Sequence, residues 1–154
     1  MYLTLLTIHS LFRWLVLATL LLAIYRAGRG YFGKTLFTSI DNKIRHWTAT
    51  TAHIQLIIGV LLYIKSPIIS YYWASSDNSI DSVEPSFFGL YHLGFMLLSI
   101  VILTIGSAKA KREKSDEAKF KTILVWFSVA LLIIFLAIPW PFLPWANRPY
   151  IRNF

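Results

Sequence analysis

The sequence predicts an all-α integral membrane protein folded as a four-helix bundle. Of its 154 residues, 56% are hydrophobic and only 14% are charged, whereas soluble domains contain about 25% charged residues. The hydrophobic residues fall into four runs close to the roughly 20 residues that a helix needs to cross a bilayer. We therefore expect a single transmembrane domain over residues 1–154, with spans at about 3–25, 47–65, 87–107 and 122–138.

Charged residues and helix-breaking residues set the limits of these spans. The first span ends at Arg26, before a basic, glycine-rich stretch that we expect to form a loop. Ser39 or Asp41 is a candidate N-cap for the second helix, and Pro67 is predicted to kink or end it. The acidic stretch 74–85 is predicted as a loop. Three prolines are predicted to end the fourth span, namely Pro139, Pro141 and Pro144.

The basic residues predict the orientation of the chain. The net charge is +8, but eleven of the 15 lysines and arginines lie in two short connections: Arg26, Arg29, Lys34, Lys43 and Arg45 in the first, and Lys109, Lys111, Arg112, Lys114, Lys119 and Lys121 in the third. Short basic loops stay on the cytoplasmic side of a membrane. We therefore expect both termini outside, a cell inner (cytoplasmic) membrane location, and no nucleic-acid partner.

Several classes of protein are excluded or disfavoured. The chain has no cysteine, which excludes disulfides, thiolate metal sites and c-type haem attachment. Residues 1–12 carry no lysine or arginine, so we do not expect a cleavable signal peptide. No hydrolase motif is present, and the spans lack the acidic relay residues of transporters. These observations disfavour a stand-alone hydrolytic enzyme and a transporter.

Two histidines lie at the same predicted depth in the membrane. Counting along the helices from their basic ends, His9 lies roughly 9 Å and His92 roughly 8 Å outward of the midplane. The iron of haem b takes two imidazoles from facing helices at one level. We therefore predict His9 and His92 as axial ligands of a haem b. The alternative for each is a hydrogen bond to a backbone carbonyl or a hydroxyl group.

Arg13 and His53 are further candidates for this site. Arg13 lies one turn from His9 on the same helix face, roughly 3 Å from the midplane, and the spans contain no acidic residue. A haem propionate, a quinone carbonyl or another subunit's carboxylate would pair with Arg13, unless it extends to the headgroups. His53 lies nearer the cytoplasmic side and is the alternative iron ligand. The competing interpretation is a hydrogen bond within the bundle, for example to Thr50.

Four stretches resemble small four-helix membrane proteins that are labelled cytochrome b-like. They are IHSLFRWLVL in the first span, TAHIQLIIGVLLYIKSP in the second, LYHLGFMLL in the third, and IPWPFLPWANRP near the end. The resemblance covers nearly the full length. It implies a b-type haem and electron transfer, with His9, His53 and His92 as candidate ligands.

The sequence thus predicts a membrane-embedded haem b protein that acts in electron transfer in a respiratory chain. A quinone or quinol is a candidate reaction partner, and other membrane or redox subunits are candidate binding partners. The alternative is a haem-free structural or assembly subunit of a larger membrane complex. In that case His9, Arg13 and His92 would contact a neighbouring subunit or lipid.

Overall fold

The computed structural model describes residues 1–74, 83–144 and 148–150, and the described residues are helical apart from short connections. The four long helices are α1 (Tyr2–Phe32), α2 (Ser39–Lys65), α5 (His92–Arg112) and α6 (Asp116–Ala137). Two short helices, α3 (Pro67–Ala74) and α4 (Val83–Ser86), and a π-helical segment (Phe87–Tyr91) lie between α2 and α5. No strand occurs in these ranges, which confirms the predicted all-α fold.

Four helical stretches are long and apolar enough to cross a membrane: Tyr2–Phe32, Ser39–Lys65, Val83–Arg112 and Asp116–Ala137. Their outer surfaces carry large exposed apolar side chains, including Leu21, Ile57 and Leu132. Lipid accommodates such a surface, because hydrocarbon does not penalise exposed apolar groups as water does. These features suggest a multi-pass membrane protein.

The long helices form a closed ring with a packed interior. Helix α1 packs against α2 and α6, and α5 packs against α6 and α2, so α1 and α5 face each other across the diagonal. The side chains of Leu20, Leu103 and Phe127 are fully buried between the helices. The diagonal arrangement matters for the site, since the two candidate iron ligands lie on α1 and α5.

Glycines let neighbouring helices approach each other closely. A Cβ atom on Gly30 would lie 2.4 Å from the ring of Phe120, and one on Gly106 would lie 2.3 Å from Cβ of Trp126. Both distances are far below an ordinary contact. Helix α6 therefore packs directly on the backbones of α1 and α5, as small residues allow in membrane bundles.

Two predicted limits of the helices are wrong. The glycine-rich stretch after Arg26 is not a loop, because α1 continues to Phe32. Packing of Gly30 on Phe120 stabilises this extra part of the helix, and tertiary contacts of this kind override weak helix propensity. The N-cap of α2 is Thr38, one residue before Ser39. Its hydroxyl accepts from the Asp41 N–H, and the Asp41 carboxylate accepts from the Thr38 N–H at 2.9 Å, a capping box.

The prolines end helices as predicted. Helix α2 ends at Lys65, just before Pro67, and α6 ends at Ala137, before the three prolines. Of the predicted loop 74–85, residues 75–82 lie outside the described part of the chain. Ala74 belongs to α3 and residues 83–85 belong to α4, so these two edges of the stretch are helical.

Polar contacts join the helices at the end of the bundle that carries the basic connections. Nε of Arg26 lies 2.8 Å from a carboxylate oxygen of Asp41. Arg45, which is 6% exposed, donates to the carbonyl and the hydroxyl of Ser107 on α5. We call this the basic end. The opposite end, where α3 and residues 148–150 lie, is called the α3 end.

Candidate functional site

A cavity of about 180 Å³ lies between the four long helices, towards the α3 end. Most of its wall is apolar, with Leu56, Met96 and Ile134 among the lining residues. Five nitrogen-bearing side chains also line it: His9, Arg13, Gln55, His92 and Arg148. An apolar cavity with a few convergent polar groups is the usual form of a ligand site.

The two predicted ligands meet in this cavity. The ring centroids of His9 and His92 are 6.4 Å apart, and the ring planes are at 73° to each other. Because the rings come from the diagonal helices α1 and α5, the pair crosses the bundle. The structure therefore brings together the two histidines that the depth count places at one level.

His92 is held in a defined orientation. Its Nδ1 lies 2.8 Å from the carbonyl oxygen of Ala137. A carbonyl only accepts hydrogen bonds, so Nδ1 carries the hydrogen, and in the neutral ring Nε2 keeps a free lone pair. The rings of Phe87 and Phe88 pack on His92 with centroids 5.9 Å away. His92 thus offers a bare Nε2 for a ligand bond.

His9 is positioned by α2. Its Nδ1 is buried and has no hydrogen-bond partner among the described residues. A Cβ atom on Gly59 would lie 3.2 Å from Cε1 of His9, so the ring packs closely on that glycine. The Gln55 side chain donates to the backbone carbonyl of His9 at 3.0 Å. Its own Oε1 is buried and unpartnered within the described ranges.

The Arg13 guanidinium lies among aromatic rings and a carbonyl group. Its Nη2 donates to the carbonyl oxygen of Tyr150 at 2.8 Å. Its Cζ lies 5.2 Å from the ring centroid of Trp14 and 6.0 Å from that of Trp140, within the range of cation–π contacts. Nε is buried without a partner, and no carboxylate pairs with Arg13 in the part of the chain that is described.

Residues 148–150 lie over one side of the cavity. Arg148 forms an ion pair with Glu84 on α4, and its Cζ lies 5.1 Å from the ring centroid of Phe88. The indole N–H of Trp14 donates to the same Tyr150 carbonyl that Arg13 binds, at 3.1 Å. This segment is thereby attached to α1 on one side and to α4 on the other.

His53 takes a different role. Its Nδ1 lies 2.7 Å from the carbonyl oxygen of Ala49, and its Nε2 lies 3.0 Å from the hydroxyl of Thr104 on α5. Both ring nitrogens are therefore engaged, and His53 does not line the cavity. The hydroxyl partner is Thr104 rather than the predicted Thr50. The structure thus uses His53 to join α2 to α5.

Among the cavity residues that the sequence did not predict are Gln55, Gly59 and Arg148. Gln55 is the only glutamine in the chain, and Gly59 follows four residues later on the same helix face. That spacing predicts that the two residues share a helix face, but the sequence does not show that this face packs against His9. Arg148 carried no signal beyond its charge, because its contact with Glu84 joins residues far apart in the chain.

Comparisons with protein-family models, with curated proteins and with solved structures give no match. The resemblance to cytochrome b-like proteins therefore stays a prediction.

Proposed function

We propose that this protein is a membrane-embedded b-type haem protein that acts in electron transfer, with His9 and His92 as the axial ligands. The 6.4 Å separation of the two rings carries the proposal. Imidazole–metal bonds in proteins are about 2.0–2.1 Å long, and the ring centre lies about 1 Å beyond the nitrogen, so two imidazoles on opposite sides of one metal have centroids roughly 6 Å apart. The observed separation agrees with this value.

The surroundings of the two rings also support a haem. The hydrogen bond from His92 to the Ala137 carbonyl is the kind of second contact that fixes the tautomer of an axial histidine. His9 has an unpartnered buried nitrogen, and Arg13 beside it has another. Buried polar atoms normally have partners, so these atoms indicate that a ligand belongs in the cavity. Its apolar wall provides the contacts that a macrocycle makes, and at about 180 Å³ the cavity must widen to admit the whole ring.

Bound haem b supplies a one-electron redox couple. The residues of the chain hold it and tune its environment. His9 and His92 are proposed to set the ligand field, and Arg13 would favour the reduced, more electron-rich state through its positive charge. The Phe87 and Phe88 rings exclude water from the His92 side. We place this activity in a respiratory chain of the cell inner membrane, with a quinol as the candidate electron donor and other redox subunits as partners.

The absorption spectrum of the detergent-purified protein tests the proposal. We expect a low-spin haem b spectrum in the wild-type protein, lost in His9→Ala and in His92→Ala. His46→Ala and His53→Ala are the matched controls and should retain it. Haem retention in His9→Ala would overturn the ligand pair, and loss in His53→Ala would instead favour His53 as a ligand. A wild-type protein that takes up no haem would favour the haem-free subunit of a larger complex.

A further inference from the structure

Two arginines line one apolar cavity, and they lie at the same edge of it. Arg13 donates to the carbonyl oxygen of Tyr150, and Arg148 is two residues before Tyr150 in the same segment. The two guanidinium groups therefore flank one short stretch of chain. A cationic side chain inside a membrane span is costly, so Arg13 calls for an anionic partner, whereas Arg148 already has one in Glu84.

The partner of Arg13 compensates its charge poorly. The Tyr150 carbonyl is a dipole without a full charge, and the ring faces of Trp14 and Trp140 are neutral. Nε of Arg13 is buried with no partner in the described ranges. A carboxylate would satisfy this group better, because a guanidinium offers a planar fork of donors that matches two carboxylate oxygens.

Arg148 already shows the preferred chemistry. It pairs with the Glu84 carboxylate, and the Glu84 side chain as a whole is 43% exposed. The Oε1 atom of Glu84 that faces Arg148 is buried, so a ligand carboxylate must compete with Glu84 for this arginine. Arg148 itself is only 25% exposed and lines the cavity.

We propose that Arg13 and Arg148 together recognise a ligand with two carboxylates on one edge, and that the Tyr150 carbonyl and Glu84 hold the two arginines until the ligand replaces them. This inference rests on the proposed function, since the two propionates of haem occupy one edge of the macrocycle. It names Arg148 as a specificity residue for the proposed site.

Metal-free protoporphyrin IX and its dimethyl ester separate this inference from the proposed function. Neither has an iron, so histidine ligation plays no part, and the two differ only in their carboxylates. Quenching of tryptophan fluorescence by each porphyrin measures binding, because Trp14 and Trp140 lie beside Arg13. We expect wild-type protein to bind the free acid at least tenfold more tightly than the ester, which corresponds to about 1.4 kcal/mol.

Substitutions then assign the preference to the two arginines. Arg13→Gln and Arg148→Gln should each reduce the acid-over-ester preference several-fold, and Arg13→Lys should reduce it less. Glu84→Gln should increase the acid-over-ester preference, because the Glu84 carboxylate no longer competes for Arg148. A merely structural role of Glu84 would not produce that increase. Arg29→Gln is the matched control, because it removes the same charge at the basic end of α1.

Equal binding of acid and ester by the wild-type protein would overturn the inference, and so would a failure to bind either porphyrin. A Glu84→Gln variant that lowers the preference would overturn the proposed exchange of partners. The haem spectrum of the same preparations reports separately on His9 and His92. A normal low-spin spectrum without carboxylate preference would leave the ligand pair standing and remove the role of the arginines.

Discussion

A Cβ atom on Gly59 should disturb the candidate site without unfolding the protein. In Gly59→Ala this atom would lie 3.2 Å from Cε1 and 3.6 Å from Nδ1 of His9. Carbon atoms in good contact are about 3.5–4.0 Å apart, so the ring of His9 or helix α2 must shift by roughly 0.3–0.8 Å. A ligand site tolerates displacements of only about 0.5 Å. We therefore expect a several-fold loss of haem affinity and an altered low-spin spectrum.

Two other glycines provide matched controls. A Cβ atom on Gly94 meets no atom within 4 Å, whereas one on Gly106 lies 2.3 Å from Cβ of Trp126. All three substitutions gain about 0.8–1.0 kcal/mol of helix propensity. Gly94→Ala should therefore raise stability by about 0.8–1.0 kcal/mol and leave haem binding intact. Gly106→Ala should lower stability by about 1–3 kcal/mol because an atom near the backbone cannot move aside.

Haem titration and thermal denaturation in detergent, run on the three variants side by side, measure these effects. Gly59→Ala should resemble Gly94→Ala in denaturation temperature and differ from it in haem affinity. If the two variants bind haem equally well, Gly59 does not position His9, and the close packing of the His9 ring on α2 has no bearing on ligation. If Gly59→Ala instead denatures as readily as Gly106→Ala, the contact is part of the core.

Three further predictions address topology, His53 and Arg13. Single cysteines placed at Ser79 and Phe154, which lie outside the described residues, should react with an impermeant thiol reagent in intact cells. Cysteines placed at Lys34 and Lys114 should not react. Labelling at position 114 would contradict the predicted orientation. His53→Ala should keep the haem spectrum but lower stability by about 1–2 kcal/mol, because its hydrogen bonds are lost. The control in thermal denaturation is Thr50→Ala, since the Thr50 hydroxyl bonds only within its own helix. Unchanged stability would contradict the linking role of His53. Arg13→Leu should lower the haem midpoint potential on the order of tens of millivolts, because a lost positive charge destabilises the reduced state; potentiometry that finds no shift would remove Arg13 from the site.

The fold was predictable because its signals are local. Hydropathy over about 20 residues located the four helices, and prolines marked the ends of α2 and α6. The helical stretch after Arg26 was not predictable, since its stability depends on Gly30 packing against Phe120 of a distant helix. Local sequence rules carry no information about that contact.

The candidate site was predictable only along the depth axis. Counting residues from the basic end of each helix placed His9 and His92 at one level, since the rise per residue is constant. The rotation of α2 about its own axis has no comparable local signal. For that reason Gln55 and Gly59 were missed, and the position of Arg148 depends on residues 148–150 returning to the bundle.

The diagonal position of α1 and α5 has a consequence for biogenesis. A chain is synthesised from its N-terminus, so α1 and α2 are complete while α5 is still being made. The ring pair of His9 and His92 cannot form until α5 has entered the bundle, and Arg148 arrives only after α6. Any ligand that contacts all three residues can therefore be fully bound only after Arg148 has been synthesised, and a nascent protein truncated before α5 has no His9–His92 pair to receive it.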